Sequence, residues 1–218
     1  MSFHSFAHLF KRNMETKDRI AAKAHELFLR YGIRSISMDE IAAHLGISKK
    51  TIYQSFEDKD SLVEAVIELE IQENMHDCNL CKGQSDNAIH EVYLAMDMVQ
   101  EMLKGMNPSI IFDLEKYHPK AFRKMHEHKN DFFSRITKEN IDRGIEEGLY
   151  RPDINADILS RFRVGTMFMI LAPDVLLSKY NPAVILKEMT ENFLFGMATP
   201  KGTELIKQYK QQRLKATQ

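Results

Sequence analysis

The chain has 218 residues, a formal net charge of -1 and 44% hydrophobic residues, enough apolar material to bury one or two cores. This balance excludes a protein that is basic throughout. Two cysteines cannot staple a chain of this length, and thirteen methionines would be at risk in an oxidising compartment, so composition points to the cytosol. The opening stretch, "MSFHSFAHLFKRNMETKDR", puts its apolar residues before its charges and lacks the core and cleavage site of a secretory signal. The most apolar run, "VGTMFMILAPDVLL" from Val164 to Leu177, is broken by Pro173 and Asp174 and is too short to span a bilayer. Six prolines and nine glycines, together with apolar residues recurring three and four apart, predict an all-α protein.

In chain order, Thr16–Tyr31 places Ile20, Ala24, Leu27 and Phe28 on one face, with Thr16 as the expected N-cap and Gly32 as the stop. "SMDE" has capping-box spacing: Ser37 caps the next helix and Glu40 reaches back. That helix runs to Leu45, and Gly46 stops it. Ser48 caps a third short helix through Phe56, and Asp58 a fourth carrying Leu62, Val63, Val66, Ile67 and Leu69. The polar stretch at residues 76–87, "HDCNLCKGQSDN", is the expected linker. Ile89, Val92, Tyr93, Met96, Val99, Leu103 and Met106 then form a stripe ending near Gly105 and Pro108. A short helix follows over Ser109–Tyr117, and a long one from Pro119 toward Gly148. Asn155 or Asp153 starts the next, from about Ala156 to Lys179, and a last helix covers Pro182 to about Met197. The tail "KQYKQQRLKATQ" is expected to fray. No internal repeat or low-complexity block is present.

Two short helices joined by a tight glycine turn are the arithmetic of a helix-turn-helix. Ile41, Leu45, Ile47 and Ile52 would fill the space between the helices, with Ala42 small where they approach. Gly46 stands where the backbone needs positive φ. The second helix of such a pair can enter a major groove about 12 Å wide. Its exposed residues would be Lys49, Lys50, Thr51, Tyr53 and Gln54. Lysine donates to guanine O6 and N7, Gln54 pairs with adenine, and the threonine methyl meets a thymine methyl. The hydroxyls of Ser48, Thr51 and Tyr53 suit phosphate oxygens. Lys59, in the first turn of the next helix, adds positive charge where amides already favour an anion. No acidic residue lies between Glu40 and Glu57.

The ordered set "A…LF…YG", "S-MDEIA…LGIS" and "TIY..F..KD.L", within residues 16 to about 66, resembles the DNA-binding region of TetR-family transcriptional regulators. The resemblance implies backbone contacts from Ser37, Thr51, Tyr53 and Lys59, with Lys49, Lys50 and Gln54 reading or flanking bases. Two positions depart from the family pattern. Lys50 stands where a small residue is frequent and Ser55 where histidine is frequent, which leaves the operator sequence unpredictable. The implied organisation is a helix-turn-helix DNA-binding domain over 1–62, with an N-terminal extension 1–15, and a helical ligand-binding and dimerisation domain over 63–218. It implies a homodimer formed through two C-terminal helices, a near-palindromic operator in double-stranded DNA, and an unknown small-molecule effector that releases it. "ILSRFRVGTMFMILAPDVLL" and "AVILKEMTENFLFGM" are apolar beyond what one buried face needs, as helices meeting a twin subunit would be. Candidate ligand residues are Met96, Met102, Phe112, Tyr117, Phe133 and Phe168, with His118, Asn140 and Arg163 as polar groups that could orient a ligand.

Competing chemistry is weaker. His76, Cys78 and Cys81 could sense metal or redox state, but a structural zinc site needs four ligands and only three lie there. A di-iron bundle enzyme needs two Glu-x-x-His pairs, and Glu115 with His118 is the single pair found. No nucleophile elbow or phosphate loop stands out. The reading is of a regulator, not an enzyme, with no cofactor and no membrane association.

Overall fold

The computed structural model describes residues 15–169 and 179–216. Most of the expected N-terminal extension, and residues 170–178 of the expected Ala156–Lys179 helix, lie outside them. Eleven α-helices are described: α1 Thr16–Tyr31, α2 Met38–Leu45, α3 Lys49–Ser55, α4 Lys59–Gln84, α5 Ala88–Gly105, α6 Ile110–Tyr117, α7 Pro119–His128, α8 Ser134–Glu146, α9 Ala156–Met169, α10 Pro182–Met197 and α11 Pro200–Ala216. A π-helical segment, Lys129–Phe133, joins α7 to α8. The described residues contain no sheet, so the all-α reading holds. No described helix is long and apolar enough to cross a membrane.

Local chemistry accounts for several helix ends. Ser37 Oγ accepts from the Glu40 amide at 3.2 Å while Glu40 Oε2 accepts from the Ser37 amide at 2.7 Å, the reciprocal capping box. Ser48 Oγ accepts from the Thr51 amide at 3.1 Å. Asp58 Oδ1 accepts from the Ser61 amide at 2.7 Å, and Asn155 Oδ1 from the Ile158 amide at 3.1 Å. Thr16 does not cap α1. Glu15 holds that position without a side-chain bond, so Thr16 is the first helical residue. Gly32 ends α1 at φ 85° and ψ 151°, a region reached almost solely by glycine.

Two further expectations are corrected. Residues 76–84 are not a linker but the end of α4. No residue of α4 beyond Ile67 is buried, so its second half has no apolar stripe to announce it, and its backbone bonds are local. The described part of the tail, residues 207–216, is not frayed either but helical. α11 buries Ile206 completely, and Lys210 Nζ donates to Glu191 Oε2 at 2.6 Å.

The chain divides into two compact units. One comprises the chain up to Gln72 together with Met106–Lys124; the other comprises Glu73–Gly105 together with everything from Met125 onward. In the first unit Ile20, Leu27, Phe28, Ile41, Ile52, Phe56, Leu62 and Val63 are buried. Leu45 and Ile47, expected to share that core, are only half-buried. The Asn107 amide donates to the Leu29 carbonyl at 2.7 Å, and the Arg34 amide donates to Asp113 Oδ2 at 3.1 Å. Arg34 also stacks over Tyr117.

The second unit has its own core of Ile89, Tyr93, Met96, Ile141, Tyr150, Leu186, Leu194, Met197 and Ile206. Tyr150 lies so close over Gly144 that an added Cβ there would stand 2.0 Å from the ring.

Candidate nucleic-acid interface

α2 and α3 form the helix-turn-helix. Ala42 and Ile41 on α2 face Ile52 on α3, all buried, which closes the pair on its inner side. Gly46 turns the chain at φ 66°, ψ 30°, the left-handed conformation that costs a residue with a Cβ energy. The Ile47 amide returns to the Ala42 carbonyl at 3.1 Å, so the turn satisfies its own backbone. Ser48 caps α3 and also bonds Thr51 Oγ1 at 2.9 Å.

Burying Ile52 and Phe56 inward directs Lys49, Lys50, Tyr53 and Gln54 outward, and all four are exposed. Tyr53 keeps 45% of its surface accessible. Among the described residues the side chains of Lys50 and Gln54 make no hydrogen bond or ion pair within the protein, which leaves their polar ends free for a base edge.

Lys49 is different. Its Nζ lies 2.8 Å from Asp39 Oδ1 and 5.8 Å from the Tyr53 ring centroid, and the Asp39 hydrogen bond raises its pKa. Between Glu40 and Glu57 the sequence itself supplies no carboxylate to oppose this face. The opposing carboxylate comes instead from the first turn of α2, one residue outside that interval. Sequence reasoning missed Asp39 because its pairing spans the turn.

Ser37, Ser48 and Lys59 are also partly committed. The Ser37 and Ser48 hydroxyls cap α2 and α3. Lys59 Nζ donates to the Ile33 carbonyl at 2.6 Å and lies 5.8 Å from the Phe28 ring centroid; burial lowers its pKa. One of its three donors therefore ties the loop after α1 to the start of α4, and two remain.

The candidate ligand residues are divided between the two units. In the first unit Phe112 is 45% exposed and sits edge-on to Tyr117. In the second, Met96 is core, Met102 is half-buried on α5, and Phe133 packs on His128 and Phe132 in the π segment. The side chain of Phe168 lies outside the described set. A groove of about 320 Å³ on the second unit is lined by Ile158, Leu159, Phe162, Asn192, Phe193 and Met197 among others, none of them a candidate. Of the polar candidates, His118 pairs with Asp60 and Asn140 Nδ2 donates to the Ala88 carbonyl at 3.0 Å, both structural uses.

Cys78 and Cys81 are half-buried on α4. Burial pushes the Cys78 thiol up to about 12 and raises that of Cys81, the reverse of an activated thiolate. Among the described residues neither belongs to a group of three side chains placed to hold a metal.

An exposed polar helix mounted on a closed glycine turn defines a major-groove reader of the helix-turn-helix class. Comparison with known proteins agrees. Residues 20–66 match the family model described as bacterial regulatory proteins, tetR family. The HTH-type transcriptional regulator YvaF of Bacillus subtilis is 32% identical over 105 residues, 48% of this chain and 55% of that protein, so the match spans little more than half of that relative. The HTH-type transcriptional regulator SAB2452 of Staphylococcus aureus is 24% identical over 86% of this chain and 94% of its own length. A TetR-family regulator of Agrobacterium tumefaciens shares the fold with a TM-score of 0.68 at 16% identity, covering 84% of this chain and 97% of that one. The likeness to tetR-family DNA-binding transcriptional regulators thus lies in residues 20–66, the helix-turn-helix part of the chain.

Proposed function

We propose that the protein is a cytosolic homodimeric repressor that binds a near-palindromic operator and is released by a small molecule. The exposed edge of α3, with Lys50, Tyr53 and Gln54 outward, carries the DNA-reading part of this proposal. The dimer is supported by apolar residues that the second unit leaves in water. Ile158, Phe162 and Met169 on α9, and Val184 and Phe195 on α10, are between 39% and 62% exposed. They recur at helical spacing on each helix, and Ile158 and Phe162 line the groove on this unit, the pattern of a face that meets another surface. A twin copy seated there puts two recognition helices on one duplex, and two-fold symmetry then requires an operator of inverted halves. The effector lowers operator affinity by no more than its preference for the released arrangement.

Selection of bound sequences from a random duplex library, at stated salt, tests this. Enrichment of a near-palindrome supports a dimeric reader. Salt-sensitive binding without enrichment overturns the reading of α3 as a sequence reader.

A further inference from the structure

The second unit buries a full positive charge that no carboxylate among the described residues opposes. Arg163 on α9 is 6% exposed. Its Nη2 donates to Thr190 Oγ1 on α10 at 2.7 Å, and its Cζ lies 5.4 Å from the Phe193 ring centroid. The other terminal nitrogen, Nη1, is buried without a hydrogen-bond partner. Among the described residues no carboxylate pairs with this guanidinium. Glu191, the buried acid beside Thr190, is already held by Lys187 at 3.4 Å and Lys210 at 2.6 Å. Burial lowers the Arg163 pKa to about 10, as loss of hydration does to any unpaired cation.

An uncompensated buried charge is among the costliest arrangements in a protein interior, and the chemistry that relieves it is specific. Nη1 offers donors in the plane of a guanidinium, the geometry that fits a carboxylate. Thr190 accepts from Nη2 and so keeps its own hydroxyl proton available for a second oxygen. One fixed positive charge balances one negative charge; a phosphate dianion would leave a buried excess. Phe193, which stacks on the guanidinium, also lines the groove of about 320 Å³ with Leu159, Phe162 and Met197, an apolar lining suited to a hydrocarbon body.

We infer that Arg163 and Thr190 form a carboxylate-recognition site, so that the effector is an organic monocarboxylate with an apolar body. This rests on the ligand-responsive reading above and narrows it to one chemical class. The guanidinium packs against α10, so a ligand reaches it by parting α9 from α10, the two helices that carry the exposed apolar residues of the proposed dimer face.

The test uses the full chain with butanoate, octanoate, dodecanoate and benzoate, each against its primary amide, by calorimetry and by operator binding in the same preparation. At least one acid should bind, with its amide weaker by roughly tenfold or more, since a hydrogen bond to a charged group is lost. Arg163→Met should abolish the preference for acid over amide and raise the thermal midpoint of the protein alone, because an unpaired buried charge is gone. Thr190→Val, which leaves the guanidinium in place, should weaken the acid and not the amide; it serves also if Arg163→Met fails to fold. Equal binding of acid and amide, undiminished acid binding to the variants, or no binding of any acid overturns the site. An acid that binds without changing operator affinity leaves the site standing and removes ligand-driven release. Release by a neutral compound alone removes the site and keeps the release.

Discussion

The face of α3 presents two lysines in different states. Lys50 is exposed with a free ammonium, whereas Lys49 is held by Asp39 at 2.8 Å. They should therefore respond differently to mutation. Lys50→Ala should change the ranking of operator variants, since one side-chain–base pairing is worth about 1–3 kcal/mol of discrimination, whereas Tyr53→Phe should weaken all variants about equally. Binding isotherms on a set of single-base operator variants check this, and a uniform loss for Lys50→Ala would move that residue to the backbone-contact class. Asp39→Asn frees Lys49 and should tighten binding to any duplex while steepening the plot of log affinity against log salt by roughly one. An unchanged slope would mean that Lys49 does not reach a phosphate. At this scale the positions of Lys50, Tyr53 and Gln54 were legible, because burying Ile52 and Phe56 settles which side of α3 faces out. The ties of Lys49 to Asp39 and Lys59 to Ile33 were not, because each crosses a turn whose geometry the local pattern does not contain.

Among the helices, α11 shows how a polar average hides a packed element. Its apolar stripe is only Leu205, Ile206 and Tyr209, and a reading that begins the tail at Lys207 loses the residue that anchors it. Three further features dock it. Asn87 Nδ2 donates to Tyr209 Oη at 2.9 Å, the Tyr209 ring stacks on His90 at 5.0 Å, and a Cβ on Gly202 would meet the Leu149 carbonyl oxygen at 2.1 Å. Ile206→Ala should therefore lower stability by about 2–5 kcal/mol, the cost of emptying a filled core site. Urea unfolding followed by circular dichroism measures it, and a loss under about 0.5 kcal/mol, the range of surface substitutions, would show that α11 is not part of the core. α4 is the opposite case. Its first half was legible from Leu62, Val63, Val66 and Ile67, and its second half was not, because its half-buried face, with Asn74, Asp77, Cys78 and Cys81, is mostly polar and carries no apolar stripe to read.

Taken whole, the chain is organised in a way that a linear pattern cannot express. The unit that holds α2 and α3 also includes Met106–Lys124. The contacts that place that segment there, Asn107 to Leu29 and Asp113 to Arg34, are separated by 78 and 79 residues (107 − 29 and 113 − 34). The apolar excess of the C-terminal helices, by contrast, was legible from their composition, and its physical counterpart is Phe162, which leaves 58% of its surface in water beside Ile158 at 62%. Because Phe162 is already solvated, Phe162→Glu should cost the isolated subunit little. Across a dimer seam the same change sets two carboxylates in an apolar contact, where unpaired charge is strongly unfavourable. The variant should sediment as a folded monomer. It should retain weak, salt-sensitive binding to duplex DNA and lose affinity for the two-half operator by roughly 10²–10⁴, the gain that linking two binding modules confers. A variant that stays dimeric would place the seam elsewhere. A monomer with full operator affinity would remove the second recognition helix from the binding event, and with it the reason for the operator to be palindromic.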